Sequence, residues 1–265
     1  MANRLKESGF AQSVTGVDSN AQNLERALEL GWIDSAASLE DGLKGSDLIV
    51  IAIPVNETLK LLPGLLQKID RQVVMDVGST KKMICDAVAS SRKRLRFVAT
   101  HPMWGTEKSG PDAVVKDAFK GRVAVICDKF DSDPAAVSVV EELYRVIGME
   151  LVYMEAGAHD VHAAYVSHIS HVASYALSLT VLEKEKEEDT IFELASGGFE
   201  STVRLAKSNP DMWVPIFQQN RENVLDVLNE HISQLRKFKS CLEKENYEYL
   251  NELIVNANKI KRILK

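Results

Sequence analysis

Six short apolar, largely β-branched runs punctuate the first 154 residues: VTGVD (14 to 18), DLIVIAIP (47 to 54), QVVMDVG (72 to 78), RFVATHP (96 to 102), VAVICD (123 to 128) and ELVYM (150 to 154). Their apolar positions are continuous rather than alternating, which predicts strands buried on both faces, as in a parallel sheet covered by helices. The intervening segments carry helical spacing. NAQNLERALELG opens on Asn20, a side chain suited to an N-cap, and closes on Gly31 as a C-cap, with Leu24, Ala27 and Leu28 on one face. DPAAVSVVEELYRVIG has Pro134 near its start and Gly148 at its end, and puts Val137, Val140, Leu143, Tyr144 and Ile147 on one face. Beyond about residue 155 the β-branched runs stop. GAHDVHAAYVSHISHVASYALSLTVLE reads as one long helix with an apolar face too broad for a surface helix, and EKEKEED (183 to 189) as its solvated end or a loop. Further helical patterns follow around 190 to 208, from 210 to about 242 and from 243 onward. The expectation is a Rossmann-like α/β domain over 1–154 and an all-α domain over 155–265, with a ligand cleft between them.

The totals narrow the class without changing this picture. The 265 residues are 45% apolar and 26% charged, the make-up of a soluble globular protein, and the net charge of −6 gives no attraction to nucleic acid. No run approaches the length of a membrane span, and the first residues lack the zones of a secretory signal, so a cytoplasmic location is expected. Cys85, Cys127 and Cys241 have no paired spacing and read as reduced thiols, neither a disulfide framework nor a zinc site.

Four segments can carry chemistry. VMDVGSTK (74 to 81) ends a buried strand in a turn whose Ser79 and Thr80 offer hydroxyls and N–H groups at the carboxyl edge, where open α/β sheets bind ligands; either could equally be a helix N-cap. ATHPMWGTEKSG (99 to 110) sets His101 at the same edge, followed by Pro102 and a polar loop; a histidine there suits general acid or base work. HDVHAAYVSHISH (159 to 171) holds four histidines, but on a straight helix of 100° per residue His159 and His168 lie on opposite sides and only His168 and His171 share a face. That argues against a metal site and for one of the last pair lining the cleft, the others capping or packing. ASGGFESTVRLAKSNPDMW (195 to 213) has Gly197 and Gly198 before Arg204, whose guanidinium could take a carboxylate at two points or make a surface salt bridge.

In this order, VDSN, AIPV, DVGSTK, HPMWGTEKSG, SHISH and GGFESTVRLAKSNPDMW resemble the prephenate dehydrogenase family nearly end to end. The resemblance implies oxidative decarboxylation of prephenate to 4-hydroxyphenylpyruvate in tyrosine biosynthesis, with hydride transfer to a nicotinamide cofactor and no metal. It makes His101 the catalytic histidine that accepts a hydrogen bond from the substrate 4-hydroxyl, and Ser79 its partner beside the nicotinamide. Thr106 and Glu107 would border the substrate, Glu107 as a gate. His171 and Arg204 would face its carboxylates and Trp213 would support that wall. Asp18, Ile53 and Pro54 would join Ser79 in holding the cofactor, and the acidic Asp18 favours NAD over NADP. A homodimer through the helical domain is implied as well.

Departures from the family pattern are Val203, Ser201, Asn209 and Trp104. They leave open an arogenate or other hydroxy-acid dehydrogenase. In a dinucleotide-binding unit the acid after the second strand lies about 20 residues past a glycine-rich turn, and counting back from Asp18 runs off the sequence. MANRLKESGF therefore reads as the later turns of a first helix capped by Gly9, with the first strand and glycine turn expected upstream of Met1, a truncated or mis-started sequence. A dimeric binding protein deficient in cofactor is the alternative from another class.

Overall fold

The computed structural model describes residues 1–108, 110–186 and 191–263, and of Phe192 the backbone. Ser109 of the polar loop, residues 187–189 of the charged run and residue 190 lie outside the described residues.

The chain runs α1 (Ala2–Glu7), β1 (Thr15–Gly16), α2 (Ala21–Glu29), β2 (Ser35–Ala36), α3 (Leu39–Lys44), β3 (Leu48–Ile51), α4 (Val55–Lys68), β4 (Val73–Asp76) and α5 (Lys82–Val88). It continues with β5 (Phe97–Pro102), β6 (Val123–Cys127), α6 (Pro134–Val146), β7 (Glu150–Met154), α7 (Ala156–Ala163), a π-helical turn (Ala164–His168) and α8 (Ile169–Glu185). Then come α9 (Gly197–Val203), α10 (Pro210–Gln219), α11 (Arg221–Glu243) and α12 (Tyr247–Ala257). The helix boundaries follow local chemistry. Asn20 accepts the Gln22 N–H at the start of α2, and Asp133 accepts the Ala135 N–H ahead of Pro134 in α6. Gly9, Gly31 and Gly148 take φ of 75°, 70° and 84° after α1, α2 and α6, a region that favours glycine.

Strands β3-β4-β5-β6-β7 form one sheet, and β1-β2 a separate parallel pair. The β2 strand, two residues long, carries no periodicity that a sequence reading could find. Within the larger sheet β3–β4, β4–β5 and β6–β7 are parallel and β5–β6 is antiparallel. The reversal has a local cause: between Pro102 and Val123 the described residues contain only a single 3₁₀ turn, Pro111–Ala113, so no helix carries the chain back across the sheet. Helix α6 supplies that crossover between β6 and β7.

The pleat sends alternate residues to two cores. Val74, Phe97, Ala99, Val125 and Cys127 face α4 and α5 residues such as Leu62, Leu66 and Ile84, with Trp213 and Ile216 of α10 closing that layer. Val73, Met75, Val98, Ala124 and Ile126 face Val140, Leu143 and Tyr144 of α6 and Leu5 of α1. This two-sided burial is why β4 and β5 read as unbroken apolar runs. The three cysteines are free and buried.

The strands end at Met154, and the chain divides by compactness at a later point, into Met1–Asn220 and Arg221–Lys265. The sequence pattern suggested one helix from 210 to about 242, but the chain breaks at Asn220. There the backbone leaves helical geometry (φ −108°, ψ 27°). The side chain is buried and donates to the Asp160 carbonyl, a bond that a continuous solvent-facing helix would not make.

Candidate active site

Strand β4 runs into Val77, Gly78 and Ser79, and β5 ends on His101 and Pro102, so both residues emerge at the carboxyl edge of neighbouring strands. Behind them lies a buried polar frame. Lys81, fully buried, forms an ion pair with Asp76 at the end of β4 and donates to the Thr100 carbonyl at 2.7 Å. Asp76 also accepts the Gly78 N–H, and the Thr100 hydroxyl bonds to Tyr144. Each polar group is answered, as burial requires.

His101 is about nine-tenths buried. Its Nδ1 lies 2.8 Å from Nε2 of His159 in α7, and Nδ1 of His159 lies 2.8 Å from Oδ1 of Asp160. Asp160 in turn accepts the backbone N–H groups of Lys81 and Lys82, so a side chain from α7 caps the start of α5. Burial, reinforced by His159, the Lys81 ammonium and His168, holds the pKa of His101 well below the usual histidine value. It is therefore neutral at pH 7, the state that can accept a proton.

The long helix expected from 159 to 182 is interrupted by the π turn at Ala164–His168. The extra residue of a π turn shifts the helical register, so the straight-helix angles do not hold across it. His159, expected to cap or pack, instead reaches His101. His168 and His171 do share a face: both rings meet Trp213, with centroids 5.8 Å and 3.4 Å away. His168 is fully buried with Nδ1 3.1 Å from the Asn220 amide, while His171 borders the cavity. Burial pushes both histidines down to about 4, the nearby Arg204 adding to the shift at His171. The buried Trp213 Nε1 and His171 Nδ1 find no hydrogen-bond partner among the described residues.

Arg204 opens the 3₁₀ turn after α9 and pairs with Glu107 of the polar loop at 2.9 Å. The ion pair is half exposed on the arginine side, so it is a weak one. Trp104 packs edge-to-face on Phe119.

These elements enclose a cavity of about 1620 Å³. Seven of the residues singled out from sequence line it together: Ser79, His101, Thr106, Glu107, His171, Arg204 and Trp213. Val17, Ala52 and Gly16 add the carboxyl ends of β1 and β3 to the lining. Asp18, Ile53 and Pro54 do not line the cavity. The Asp18 carboxylate instead accepts from the Asn20 N–H and the Asn23 amide, Ile53 is partly exposed, and Pro54 precedes α4. Thr80 does not cap α5 but donates its hydroxyl to Gln219. Sequence reasoning gave Asp160, Asp76 and Lys81 no role and His159 only capping or packing, because the bonds that join them to the site, His159 to His101 and Asp160 to Lys81, span 58 and 79 residues. The adjacency of His159 and Asp160 was the only available signal.

Residues 1–153 match the family model described as prephenate dehydrogenase, nucleotide-binding domain, and residues 155–256 the one described as prephenate dehydrogenase, dimerization domain. The chain is 30% identical to the prephenate dehydrogenase of Bacillus subtilis, over 93% of this chain and 67% of that protein. It is 28% identical to the cyclohexadienyl dehydrogenase of Zymomonas mobilis, over 91% and 82%. The crystal structure of Aquifex aeolicus prephenate dehydrogenase with hydroxyphenyl propionate and NAD⁺ superposes with a TM-score of 0.87 at 30% identity, covering 99% of this chain and 92% of that one. With both portions matched in order and the fold shared from end to end, the chain belongs to the prephenate dehydrogenase family.

Proposed function

We propose that this chain oxidatively decarboxylates prephenate to 4-hydroxyphenylpyruvate, with NAD as hydride acceptor. The observation that carries the reading is a buried, neutral His101 at the carboxyl edge of the sheet, sharing one cavity with Ser79, His171 and Arg204. Bound NAD would supply a two-electron acceptor at the nicotinamide. The cavity fits a dinucleotide in size, since ordinary small-ligand pockets span about 300–1,000 Å³, and it follows the strand ends where α/β sheets take nucleotides. Ser79 would border the nicotinamide and Asp18 would receive the adenosine ribose, exchanging its present bonds to Asn20 and Asn23. Ile53 and Pro54 would flank the cofactor from the turn after β3.

His101 accepts the proton of the 4-hydroxyl as C4 gives up its hydride, so a carbonyl forms at C4. The bond from C1 to the ring carboxylate then breaks, carbon dioxide leaves, and its electron pair restores the aromatic ring. His101 returns the proton to the phenolate oxygen, so the reaction releases no net proton. Aromatisation supplies driving force, and the residues need mainly to orient the partners. Arg204 binds a substrate carboxylate after releasing Glu107, which acts as the gate, and Thr106 borders the same side. A neutral His171, stacked on Trp213, contributes a hydrogen bond rather than a charge.

Residues 1–154 act as the dinucleotide-binding domain and 155–265 as the substrate-binding and dimerisation domain. A homodimer is supported by α8, an apolar helix in which only His171 and Ser174 are buried while Leu179 and Leu182 stand exposed. None of the described helices is long and apolar enough to cross a membrane, and we assign the enzyme to the cytoplasm. The test is direct: purified chain, prephenate and NAD, followed by absorbance of the reduced cofactor. Steady turnover is expected, and absence of turnover at saturating NAD overturns the reading.

A further inference from the structure

The chain of bonds behind His101 has a direction. Lys81 and Lys82 offer backbone N–H groups, which can only donate, so the Asp160 carboxylate is held as an acceptor between them. Its Oδ1 also faces Nδ1 of His159, which must then carry the hydrogen, since a lone pair there would point at a carboxylate oxygen. An imidazole with its hydrogen on Nδ1 has a lone pair on Nε2. That lone pair faces Nδ1 of His101 at 2.8 Å, so the hydrogen between the two rings belongs to His101. His101 is left with its own lone pair on Nε2, the ring nitrogen that bonds to no side chain among the described residues and the one available to the cavity. The same carboxylate logic orients a catalytic imidazole in serine hydrolases, but here a second histidine stands between acid and base.

We infer that His159 and Asp160 are positioning residues that fix the tautomer of His101, presenting Nε2 as the proton acceptor. The inference rests on the reading of His101 as the base, and it adds that the base is set by residues that touch neither substrate nor cofactor. Both positioning residues are about 2% exposed and buried among protein groups, so neither reaches the cavity to bind a ligand itself. Their joint effect is on the fraction of His101 in the productive form and hence on kcat, with substrate binding untouched. The charged or titratable groups around His101 are His159 and His168 from the π-interrupted helix and Lys81 from the segment before α5. None of them offers another acceptor to Nδ1.

Nitrogen-15 NMR of the histidine-labelled 265-residue chain tests this without substrate. The expected spectrum shows neutral His101, assigned by its loss in His101→Asn, with hydrogen on Nδ1; hydrogen on Nε2 overturns the inference. His159→Leu removes the acceptor, and His159→Gln restores an amide oxygen toward His101 and an amide N–H toward Asp160. The leucine variant is expected to mix the tautomers and lower kcat severalfold, by up to about 10-fold in proportion to the lost productive fraction, with KM for prephenate within about twofold, and the glutamine variant to recover most of both. Equal kcat and identical spectra in the two variants would overturn it. Because the tautomer is read on the free chain, a protein that shows the expected tautomer but no turnover refutes the proposed reaction and leaves this inference standing.

Discussion

His101 and Arg204 line the same cavity, one as a neutral ring and the other as a cation, and their substitutions should separate cleanly. His101→Asn keeps the size of the side chain but removes the proposed base, and kcat is expected to fall by about 10²–10⁴-fold with little change in KM. Arg204→Ala removes the proposed charge-assisted contact to a substrate carboxylate, typically about 1.5–3 kcal/mol, and KM for prephenate should rise about 10- to 100-fold while kcat is largely kept. Steady-state kinetics on the two variants checks both, and the reverse split would exchange their roles. The pH profile follows from the direction of the His101 shift. In the proposed mechanism the unprotonated ring is the active form, so kcat/KM rises with pH through its pKa, and burial has moved that pKa well below 6.5. At pH 6.5 the profile should already be on its plateau, with the acid limb lying lower. A limb centred near pH 7 would show that burial does not govern this histidine. At this scale the sequence singled out Ser79 and Glu107 because they sit in turns or loops whose composition is hard to explain by packing, and His101 because it ends a strand at the carboxyl edge, whereas His171 in α8 and Trp213 in α10 were reached through the helical face and the family resemblance. It could not find His159 or Asp160 as partners of His101, because a bond across 58 residues leaves no local periodicity.

The element scale explains how those side chains are brought together. Helix α5 starts without a side-chain cap of its own and borrows Asp160 from α7, so the turn carrying Ser79 and the helix carrying His159 are fixed to each other. Lys81 ties the ends of β4 and β5 through Asp76 and the Thr100 carbonyl. Removing one partner of this buried pair strands the other charge. Asp76→Asn is therefore expected to cost about 3–5 kcal/mol of stability, read as a lowered midpoint in urea unfolding; a change under about 1 kcal/mol would mean the pair is dispensable. The Asn20 cap, the glycines closing α2 and α6, the apolar face of α6, and strand positions in β3 to β7 were legible because each obeys a local rule, whereas α2 buries none of its residues. The π turn was not, since a straight-helix projection has no place for an added residue. The break at Asn220 escaped for a different reason: its cause is a buried hydrogen bond to Asp160, set by packing rather than by helix propensity.

Across the whole molecule, apolar side chains that remain exposed carry the next prediction. Helix α8 has 17 residues and buries two of them, and Leu179 is 66% exposed. Sedimentation equilibrium should give a mass twice that of the chain at micromolar concentration, and Leu179→Glu should shift the population toward monomer. A monomeric parent would refute the dimer. The alternation of apolar runs and helical segments determined, from sequence alone, a layered α/β region followed by a helical one. The motif order determined the family, because buried strands, capped helices and charged turns are written in nearest-neighbour chemistry. Tertiary structure alone decided that β6 runs antiparallel to β5, that His159, expected to cap or pack, engages His101, and that Arg204 pairs with Glu107. Each of these depends on which distant groups meet once water is excluded, and hydrogen bonds and charges across a fold have no period along the chain.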